Sequence, residues 1–353
     1  MGVEGSVPAA VQARLRALLG RLEALHSRYG RLFWTLHSLW ALVTGAAVLV
    51  LAHNRYGFLP WVVLFLALTW ATTLFFSRFA VTSGSRALQF AQGFVSYLTR
   101  IMYQETLFFL IPFYAYSTTF GSPNSVYVVL LAVLAVLSCF DLLFDRLLRS
   151  NRSFALGFFA LVSFSALQFF LPVLLRIPVH AGAYLAGVLA YLAALALALP
   201  WSELRMPRRL VAAALGVVLV LAGVRLLRPL VPPVPLRLLK IKVADRLDPR
   251  TLRTSDDLGE RIPLAAVADG TLYVVATVFA PSELPTRVII RTVHEGRAVR
   301  ASRTVELSAH PRGFRVWDLL RAPAGGFRPG RYRVEVVTGE GQLVGRRSFT
   351  IVP

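Results

Sequence analysis

Residues 210–243, LVAAALGVVLVLAGVRLLRPLVPPVPLRLLKIKV, contain the change of pattern that decides the fold. Residues 210–227 hold one charged side chain and suit a helix that crosses most of the roughly 30 Å hydrocarbon core of a bilayer. Four prolines within residues 229–236 then predict a stiff, extended linker. Beyond it, residues 239–243 alternate apolar and basic side chains, which is the period of a half-buried strand. The stretch therefore predicts a membrane helix followed by β structure.

The composition of the whole chain also requires a membrane. Of its 353 residues, 56% are hydrophobic and 16% are charged, whereas charged residues make up about a quarter of an ordinary soluble protein. The net charge of +20 is spread over the flanks of apolar segments and over strands. Nucleic-acid binding is not predicted, because it favours a concentrated basic stripe. The single cysteine, Cys139, excludes an internal disulfide and a cysteine metal cluster.

Seven apolar segments are each long enough to span the bilayer, so the lipid bilayer is the first predicted partner. They are Leu32–Ala52, Phe58–Phe76, Ile101–Thr119, Ser125–Phe144, Phe154–Leu175, Ala181–Leu199 and Leu210–Leu227. The third is the weakest, because Gln104, Glu105 and Pro112 interrupt it. Whether it is one kinked span or two elements stays open, and an eighth span would reverse the topology of everything downstream.

Residues 1–31 predict an amphipathic helix ahead of the first span. Leucines and a valine recur between Val11 and Leu25 at spacings of four and three, and the arginines lie largely off that stripe. Such a helix lies on a membrane surface, where anionic headgroups attract its arginines, or it pairs with another helix. The arginines favour the surface, on the cytoplasmic side.

Basic residues flank the predicted spans very unequally. With seven spans, fourteen arginines fall on one side and two, Arg55 and Arg176, on the other. The fourteen are Arg14, Arg16, Arg21, Arg28, Arg31, Arg78, Arg86, Arg100, Arg146, Arg149, Arg152, Arg205, Arg208 and Arg209. Basic flanks are retained in the cytoplasm, so we expect a protein of the bacterial inner membrane with a cytoplasmic N-terminus and an extracytoplasmic C-terminal region.

The four predicted regions are thus the helix 1–31, a transmembrane domain 32–228, the proline-rich linker 229–236 and a β domain 237–353. Short β-rich runs separated by Gly, Pro or Asp turns predict the strands of this last domain. They are residues 239–243, 271–279, 287–293, 299–307, 314–319, 332–337 and 344–351, the last two forming a closing hairpin. Seven short strands in this length favour an immunoglobulin-like antiparallel sandwich, although no cysteine pair supports a true immunoglobulin domain.

Ionisable residues inside spans are the best candidates for a functional site, because each costs about 2.5–3.5 kcal/mol at the bilayer centre. Glu105, Asp141 and Asp145 share one depth, near the cytoplasmic ends marked by Arg100 and Arg146. This polar membrane cluster is interpreted first as ion-paired helix ends, with the arginines extending along the helix onto the acids. The alternative is a proton, ion or substrate site.

A hydroxyl-rich and aromatic connection follows the third span. It includes Tyr114, Tyr116, Ser117, Thr118 and Asn124. We expect these residues to form the outer rim of the helical bundle and to line a cavity beneath the β domain.

Motifs for catalysis or cofactor binding are absent from the sequence. It has no HExxH pair, no nucleophile elbow and no phosphate-binding glycine loop. His37 and His180 fall at opposite ends of the predicted bundle and cannot share a metal. We therefore predict no catalytic, cofactor-binding or metal-binding residue, and no cofactor.

The C-terminal half resembles the bacterial domain of unknown function numbered 2914. The matching stretches are residues 242–249, 272–279, 285–297 and 329–334, with Gly341 and Phe349. This chain departs from that family at Arg291 and Val293, where the family tends to have a histidine and a tryptophan. The resemblance implies a β domain attached to a multi-span membrane region, which residues 37–152 resemble, and it implies no established activity.

Together these features favour a non-enzymatic membrane protein whose outer domain, residues 237–353, binds an envelope protein or a glycan. The alternative is a small transporter or lipid-handling protein that uses Glu105, Asp141 and Asp145. An intramembrane enzyme is the least supported class, and the oligomeric state stays open.

Overall fold

The computed structural model describes Val43 and residues 103–248, 251–281, 284–310, 312–323 and 326–353, without the side chains of residues 141, 142, 145, 149 and 201. The predicted N-terminal helix and the predicted spans Leu32–Ala52 (apart from Val43) and Phe58–Phe76 lie outside these residues. A total of seven spans therefore stays a prediction.

The structure describes seven helices between residues 103 and 227. They are α1 (residues 103–116), α2 (Ser125–Cys139), α3 (Asp141–Ser150), α4 (Arg152–Leu175), α5 (Val179–Ala198), α6 (Trp201–Leu204) and α7 (Pro207–Leu227), with a 3₁₀ turn at Arg228–Leu230. Three are long and apolar enough to cross a membrane: α4, α5 and α7 with its 3₁₀ extension. They correspond to the last three predicted spans. The helix α1 runs through Pro112, so residues 103–116 form one element.

The fourth predicted span, Ser125–Phe144, is wrong at its C-terminal end. The helix α2 stops at Cys139, because Phe140 has non-helical dihedral angles (φ −89°, ψ 77°), and α3 begins at the next residue. At about 1.5 Å per residue, α2 is about 22 Å long, short of the hydrocarbon thickness. Sequence reading had joined an apolar helix to an amphipathic one. The α3 helix is fixed instead by Phe144, whose ring lies 4.9 Å from that of Phe158 in α4.

Aromatic and small side chains hold the helices together. Phe113 of α1 packs on Phe169 of α4 with ring centroids 4.5 Å apart. Between α4 and α5, a Cβ atom added at Gly182 would lie 2.5 Å from Cγ of Pro172, so only glycine allows this approach. By contrast, α7 buries no residue, and side chains such as Leu219 are widely exposed along it. A surface this apolar is compatible with a helix that lies in a membrane.

Eleven strands lie in the part of the C-terminal region that the structure describes. They are β1 (Arg237–Ala244), β2 (Leu247–Asp248), β3 (Arg253–Thr254), β4 (Arg261–Pro263), β5 (Thr271–Phe279), β6 (Arg287–His294), β7 (Arg297–Ala301), β8 (Val305–Glu306), β9 (Phe314–Arg321), β10 (Gly330–Thr338) and β11 (Leu343–Val352). One sheet has the order β1-β5-β9, a larger sheet has the order β4-β11-β10-β6-β7 with β8 also on β6, and β2-β3 form a small ribbon.

The two larger sheets share one hydrophobic cluster. Alternate residues of β5, such as Val274 and Val278, belong to the same cluster as alternate residues of β10, such as Val334 and Val336, and all four are almost fully buried. The predicted closing hairpin is β10 with β11, paired antiparallel from Gly330↔Ile351 to Val337↔Leu343. The region is therefore β-rich, and strands of both sheets contribute to one hydrophobic cluster.

Sequence reading missed three short strands and joined two others. The β2, β3 and β4 strands are two or three residues long, too short to show a period, and β4 pairs parallel with the end of β11. The predicted strand 299–307 is two strands, because Ser302 ends β7. Its N–H donates to the Ile290 carbonyl at 2.8 Å, and its hydroxyl accepts from the Ile290 N–H at 2.9 Å.

Candidate functional site

The structure describes only part of the predicted polar membrane cluster. Glu105 lies on α1 and Arg146 on α3, and both side chains are exposed. Arg100 lies outside the described residues, and so do the side chains of Asp141 and Asp145. The break at Phe140 places both aspartates on α3 rather than on a membrane span. The predicted grouping of these five residues stays a prediction.

The neighbour of Glu105 makes the interhelical contact at this end of the bundle. Gln104 is buried and its amide donates to Sγ of Cys139 at 3.0 Å, which links α1 to the end of α2. Cys139 in turn donates to the Ala135 carbonyl at 3.3 Å. Among the residues that the structure describes, no three His, Cys, Asp or Glu side chains lie close enough to hold a metal ion.

The predicted rim residue Tyr114 belongs to a buried polar network. Its hydroxyl donates to the Ser165 carbonyl at 2.8 Å, and the Tyr127 and Ser165 hydroxyls lie 2.6 Å apart. Gln168, also in contact with the Tyr114 hydroxyl, donates its amide to the Pro232 carbonyl at 3.1 Å. Buried polar groups are stable when they satisfy one another in this way. Tyr114 therefore ties α1, α2 and α4 to the linker that leaves α7.

Two further rim residues contact the β region directly. The guanidinium of Arg237 lies over the ring of Tyr116, 4.3 Å from its centroid, a cation–π contact. Asn124 is buried and its amide donates to the Leu343 carbonyl at 3.1 Å. The end of α1 thus contacts β1, and the loop between α1 and α2 contacts the start of β11.

The remaining rim residues, Ser117 and Thr118, lie where α1 ends. Ser117 is buried, and the Thr118 hydroxyl donates to the Tyr114 carbonyl at 2.7 Å, where α1 ends. Nearby, Arg346 of β11 donates to the Gly121 carbonyl at 2.7 Å. The geometry gives the rim residues a docking role between helices and strands.

A second line of contacts between the helices and the β region, here called the seam, involves residues that the sequence did not indicate. The Val179 N–H at the start of α5 donates to the Thr286 hydroxyl at 3.3 Å, and Arg228 lies 3.3 Å from Glu340 in the β10–β11 turn. A polar cleft of about 410 Å³ lies along this seam, and His180 is among its lining residues. These contacts depend on the relative placement of segments about 110 residues apart, so local sequence carried no sign of them.

The outer face of the larger sheet carries a ladder of arginines. Alternation along β10 brings Arg331, Arg333 and Glu335 to that face, and register sets Glu335 between Arg291 of β6 and Arg346 of β11. Glu335 accepts two hydrogen bonds from Arg291, at 3.0 and 2.6 Å, and lies 3.7 Å from Arg333. The four guanidinium groups outnumber the carboxylates of Glu335 and the nearby Glu295, so this face is net positive. We call the four arginines and Glu335 the arginine ladder.

A shallow cleft of about 270 Å³ opens on the arginine ladder. Its lining includes Arg331, Arg333, Arg346 and Ser348, with Glu295 at its edge. Guanidinium groups grouped around a cleft are suited to binding carboxylate, phosphate or sulfate oxygens. Sequence reading named Arg291 only as a departure from a family pattern. The ladder appears only when the register of three strands is known.

An ion pair away from this face anchors the region before β4. Arg347 donates to both carboxylate oxygens of Asp257, at 2.8 and 2.7 Å, and to the carbonyls of Ile241 and Gly259. Partial burial alone would raise the pKa of Asp257. The hydrogen bonds from Arg347 and from the Val243 N–H, with the positive charge of Arg347, outweigh that effect and lower the pKa.

Helices that are apolar enough to cross a membrane, followed by a β-rich region docked on one end of them, define the class of this protein. More particularly, the chain belongs to the family of unknown function DUF5924, whose model matches residues 13–274. No curated protein matches the chain. The matched family has a different number from the one expected, and its match covers the helical region and ends within β5. An uncharacterised family is therefore the correct description.

Proposed function

We propose that this protein is an integral protein of the bacterial inner membrane that presents the arginine ladder outside the cytoplasm, where it binds an anionic partner in the envelope. The partner is a glycan or protein that carries carboxylate, phosphate or sulfate groups. The single observation that supports this proposal most strongly is the clustering of Arg331, Arg333 and Arg346 around one open cleft.

The orientation rests on the charge of the helix ends. The β region contacts the ends of the helices at residues 117–124, 176–179 and 228–231, where the described loops carry few basic residues. The opposite ends, near residues 146–152 and 205–209, carry six arginines. Basic flanks are retained in the cytoplasm, which favours an extracytoplasmic β region.

The rigid attachment of the β region supports a role in presentation. Contacts at Tyr116, Asn124, Val179 and Arg228 fix it to three separate connections of the bundle. A binding face held in this way stands at a set height and angle above the membrane. We further propose that the two sheets form the immunoglobulin-like sandwich that the strand pattern predicts, and that residues 242–349 keep their resemblance to the domain numbered 2914.

The proposal is tested with full-length protein in nanodiscs of neutral lipid. Dextran sulfate serves as the anionic probe and uncharged dextran as its counterpart. We expect the protein to bind only the sulfated polymer, and we expect the double variant Arg331→Gln/Arg333→Gln to lose at least tenfold in affinity, since each charge-assisted contact contributes about 1.5–3 kcal/mol.

The matched control is Arg303→Gln/Arg312→Gln, which removes two exposed arginines away from the cleft. Equal losses for the control and for Arg331→Gln/Arg333→Gln would mean that net charge alone drives binding, and the proposed site would be wrong. Crosslinking of the same variants in whole cells distinguishes a protein partner from a glycan.

A further inference from the structure

An apolar groove of about 500 Å³ runs between α2, α4, α5 and α7, apart from the arginine ladder. Its walls are formed mainly by aliphatic and aromatic side chains and by small residues of α5 and α7. They include Leu161, Phe164, Ala183, Gly187, Val220 and Gly223. Polar side chains are concentrated at the end next to the β region, where Gln168, Arg228 and Gln342 contribute.

The length of the groove matches one leaflet of a bilayer. Ala183 and Ala194 of α5 both line it, and at about 1.5 Å per residue they are about 16 Å apart along the helix. Half of the roughly 30 Å hydrocarbon core is about 15 Å. The groove therefore extends from the membrane surface beneath the β region to about the bilayer midplane.

Arg228 at the polar end has an unused donor. Its side chain is only 7% exposed, its Nη1 lies 3.3 Å from Glu340, and its guanidinium lies 5.2 Å from the centre of the Tyr184 ring. Among the described residues, none accepts a hydrogen bond from its Nε. A buried donor without an acceptor costs about 1–3 kcal/mol, so this position favours a ligand that supplies an oxygen.

The groove is too narrow for a further helix of the protein. A helix with its side chains is about 10 Å across and occupies roughly 400 Å³ per turn, so the groove holds little more than one turn. An extended hydrocarbon chain suits its volume and its apolar walls. The neighbouring cleft carries Arg225 and Arg228 against Glu340 alone, so this end is net positive and favours an anionic headgroup.

We propose that the groove binds one acyl chain of an anionic phospholipid from the leaflet on the side of the β region, with the lipid phosphate accepting hydrogen bonds from Arg228. The inference rests on the proposed membrane embedding and not on the arginine ladder. Dextran sulfate binding and lipid binding can therefore fail independently of each other.

Native mass spectrometry of the full-length protein tests this proposal, with phosphatidylglycerol and phosphatidylcholine as probes. We expect the wild type to retain one phosphatidylglycerol in preference to phosphatidylcholine. Arg228→Gln should remove that preference by lowering phosphatidylglycerol affinity about tenfold. Arg176→Gln is the matched control, because Arg176 is an exposed arginine at the same end of the helices and lies outside both the groove and the neighbouring cleft.

A second pair of variants tests the acyl chain separately. A Cβ atom added at Gly223 would meet nothing within 4 Å, so Gly223→Leu is chosen to place a larger side chain in the groove. Gly157 has equally open surroundings but lies outside the groove, and Gly157→Leu is its control. We expect Gly223→Leu to lower the retention of both lipids at least threefold and Gly157→Leu to leave both unchanged.

Four results would overturn the proposal. Retention that is equal for both lipids, or equal losses in the Arg228 and Arg176 variants, would exclude a headgroup site at Arg228. Retention unchanged in Gly223→Leu would exclude the groove. A disulfide between a cysteine at Gly223 and one in the predicted span Leu32–Ala52 would mean that a helix of this chain covers the groove.

Discussion

Val179 of the helical bundle lies in the hydrophobic core of the strands, and Val234 of the linker lies in the hydrophobic core of the helices. Val179, the first residue of α5, is 1% exposed and belongs to the cluster between the two sheets. Val234, in the proline-rich linker, is fully buried in the aromatic cluster of the helical bundle. The core of the strands thus includes a helix residue, and the core of the helices includes a residue of the linker that leads into β1. We infer that the helical and β regions stabilise each other and that neither should be tested in isolation.

A first prediction concerns the position of Val179 in the core of the strands. Val179→Ala should lower the free energy of unfolding of the β region by about 1.5–3 kcal/mol, because a fully buried valine loses its contacts there. Hydrogen exchange of β5 and β10 in the full-length protein measures it. The effect on strands is the informative part, since the altered residue lies on a helix.

Val211→Ala serves as the control, because Val211 lies on α7 and is 61% exposed. Its effect on exchange in β5 and β10 should stay within about 0.5 kcal/mol. If both variants changed hydrogen exchange in the strands equally, the effect on the β region would come from helix stability in general rather than from Val179.

A second prediction concerns the approach of α4 and α5. Gly182→Val should destabilise the bundle by about 1–3 kcal/mol, because the new side chain overlaps the ring of Pro172. Gly157→Val, on α4 with no atom within 4 Å of the added Cβ, should cost much less. Thermal unfolding in detergent, followed by helical circular dichroism, compares the two. A similar Tm for both would mean that the contact is loose.

Local patterns predicted the elements that depend on neighbouring residues alone. The apolar length of α4, α5 and α7 and the β-rich composition of β5 lie within one segment each, so their bounds were predicted to within about three residues. The end of α2 was missed because apolar residues continue beyond Phe140. A backbone break there has no compositional sign, and the amphipathic pattern of α3 starts only at Asp141.

Features that depend on strand register or on contacts between distant segments could not be predicted from the sequence. The arginine ladder needs the pairs Glu335↔Arg291 and Glu335↔Arg346 on two different strands. The unused donor of Arg228 needs the burial that the turn at Glu340 provides. Tyr114 and Asn124 were named correctly as unusual residues, but their partners lie tens to hundreds of residues away. The composition of their segment marked these residues as unusual but did not predict their docking role.

A third prediction uses the lowered pKa of Asp257. A carboxyl whose folded-state pKa lies below its unfolded value of about 3.9 stabilises the fold at neutral pH, and that stabilisation is lost as the pH falls through the two values. Asp257→Asn should therefore cost about 1–3 kcal/mol at pH 7 and progressively less below about pH 4. Denaturant midpoints across this pH range measure it.

Asp256→Asn is the matched control, because the neighbouring carboxylate is exposed. It should leave the denaturant midpoint nearly unchanged at every pH. A loss in Asp257→Asn that stayed constant from pH 7 to pH 3 would mean that packing, and not the charge of the Arg347 pair, is what the variant removes.

A fourth prediction concerns the side of the membrane on which the β region lies. Alkaline phosphatase is active only outside the cytoplasm, so a fusion after Pro353 should be active and a fusion after Arg149, in the arginine-rich connection, should be inactive. Replacing Arg205, Arg208 and Arg209 by glutamine should weaken this asymmetry, because flanking arginines hold a loop in the cytoplasm. Replacing Arg312, Arg315 and Arg321 in the β region removes the same charge far from any span and should leave it intact. An inactive fusion after Pro353 in the unaltered chain would place the arginine ladder in the cytoplasm and would exclude an envelope partner.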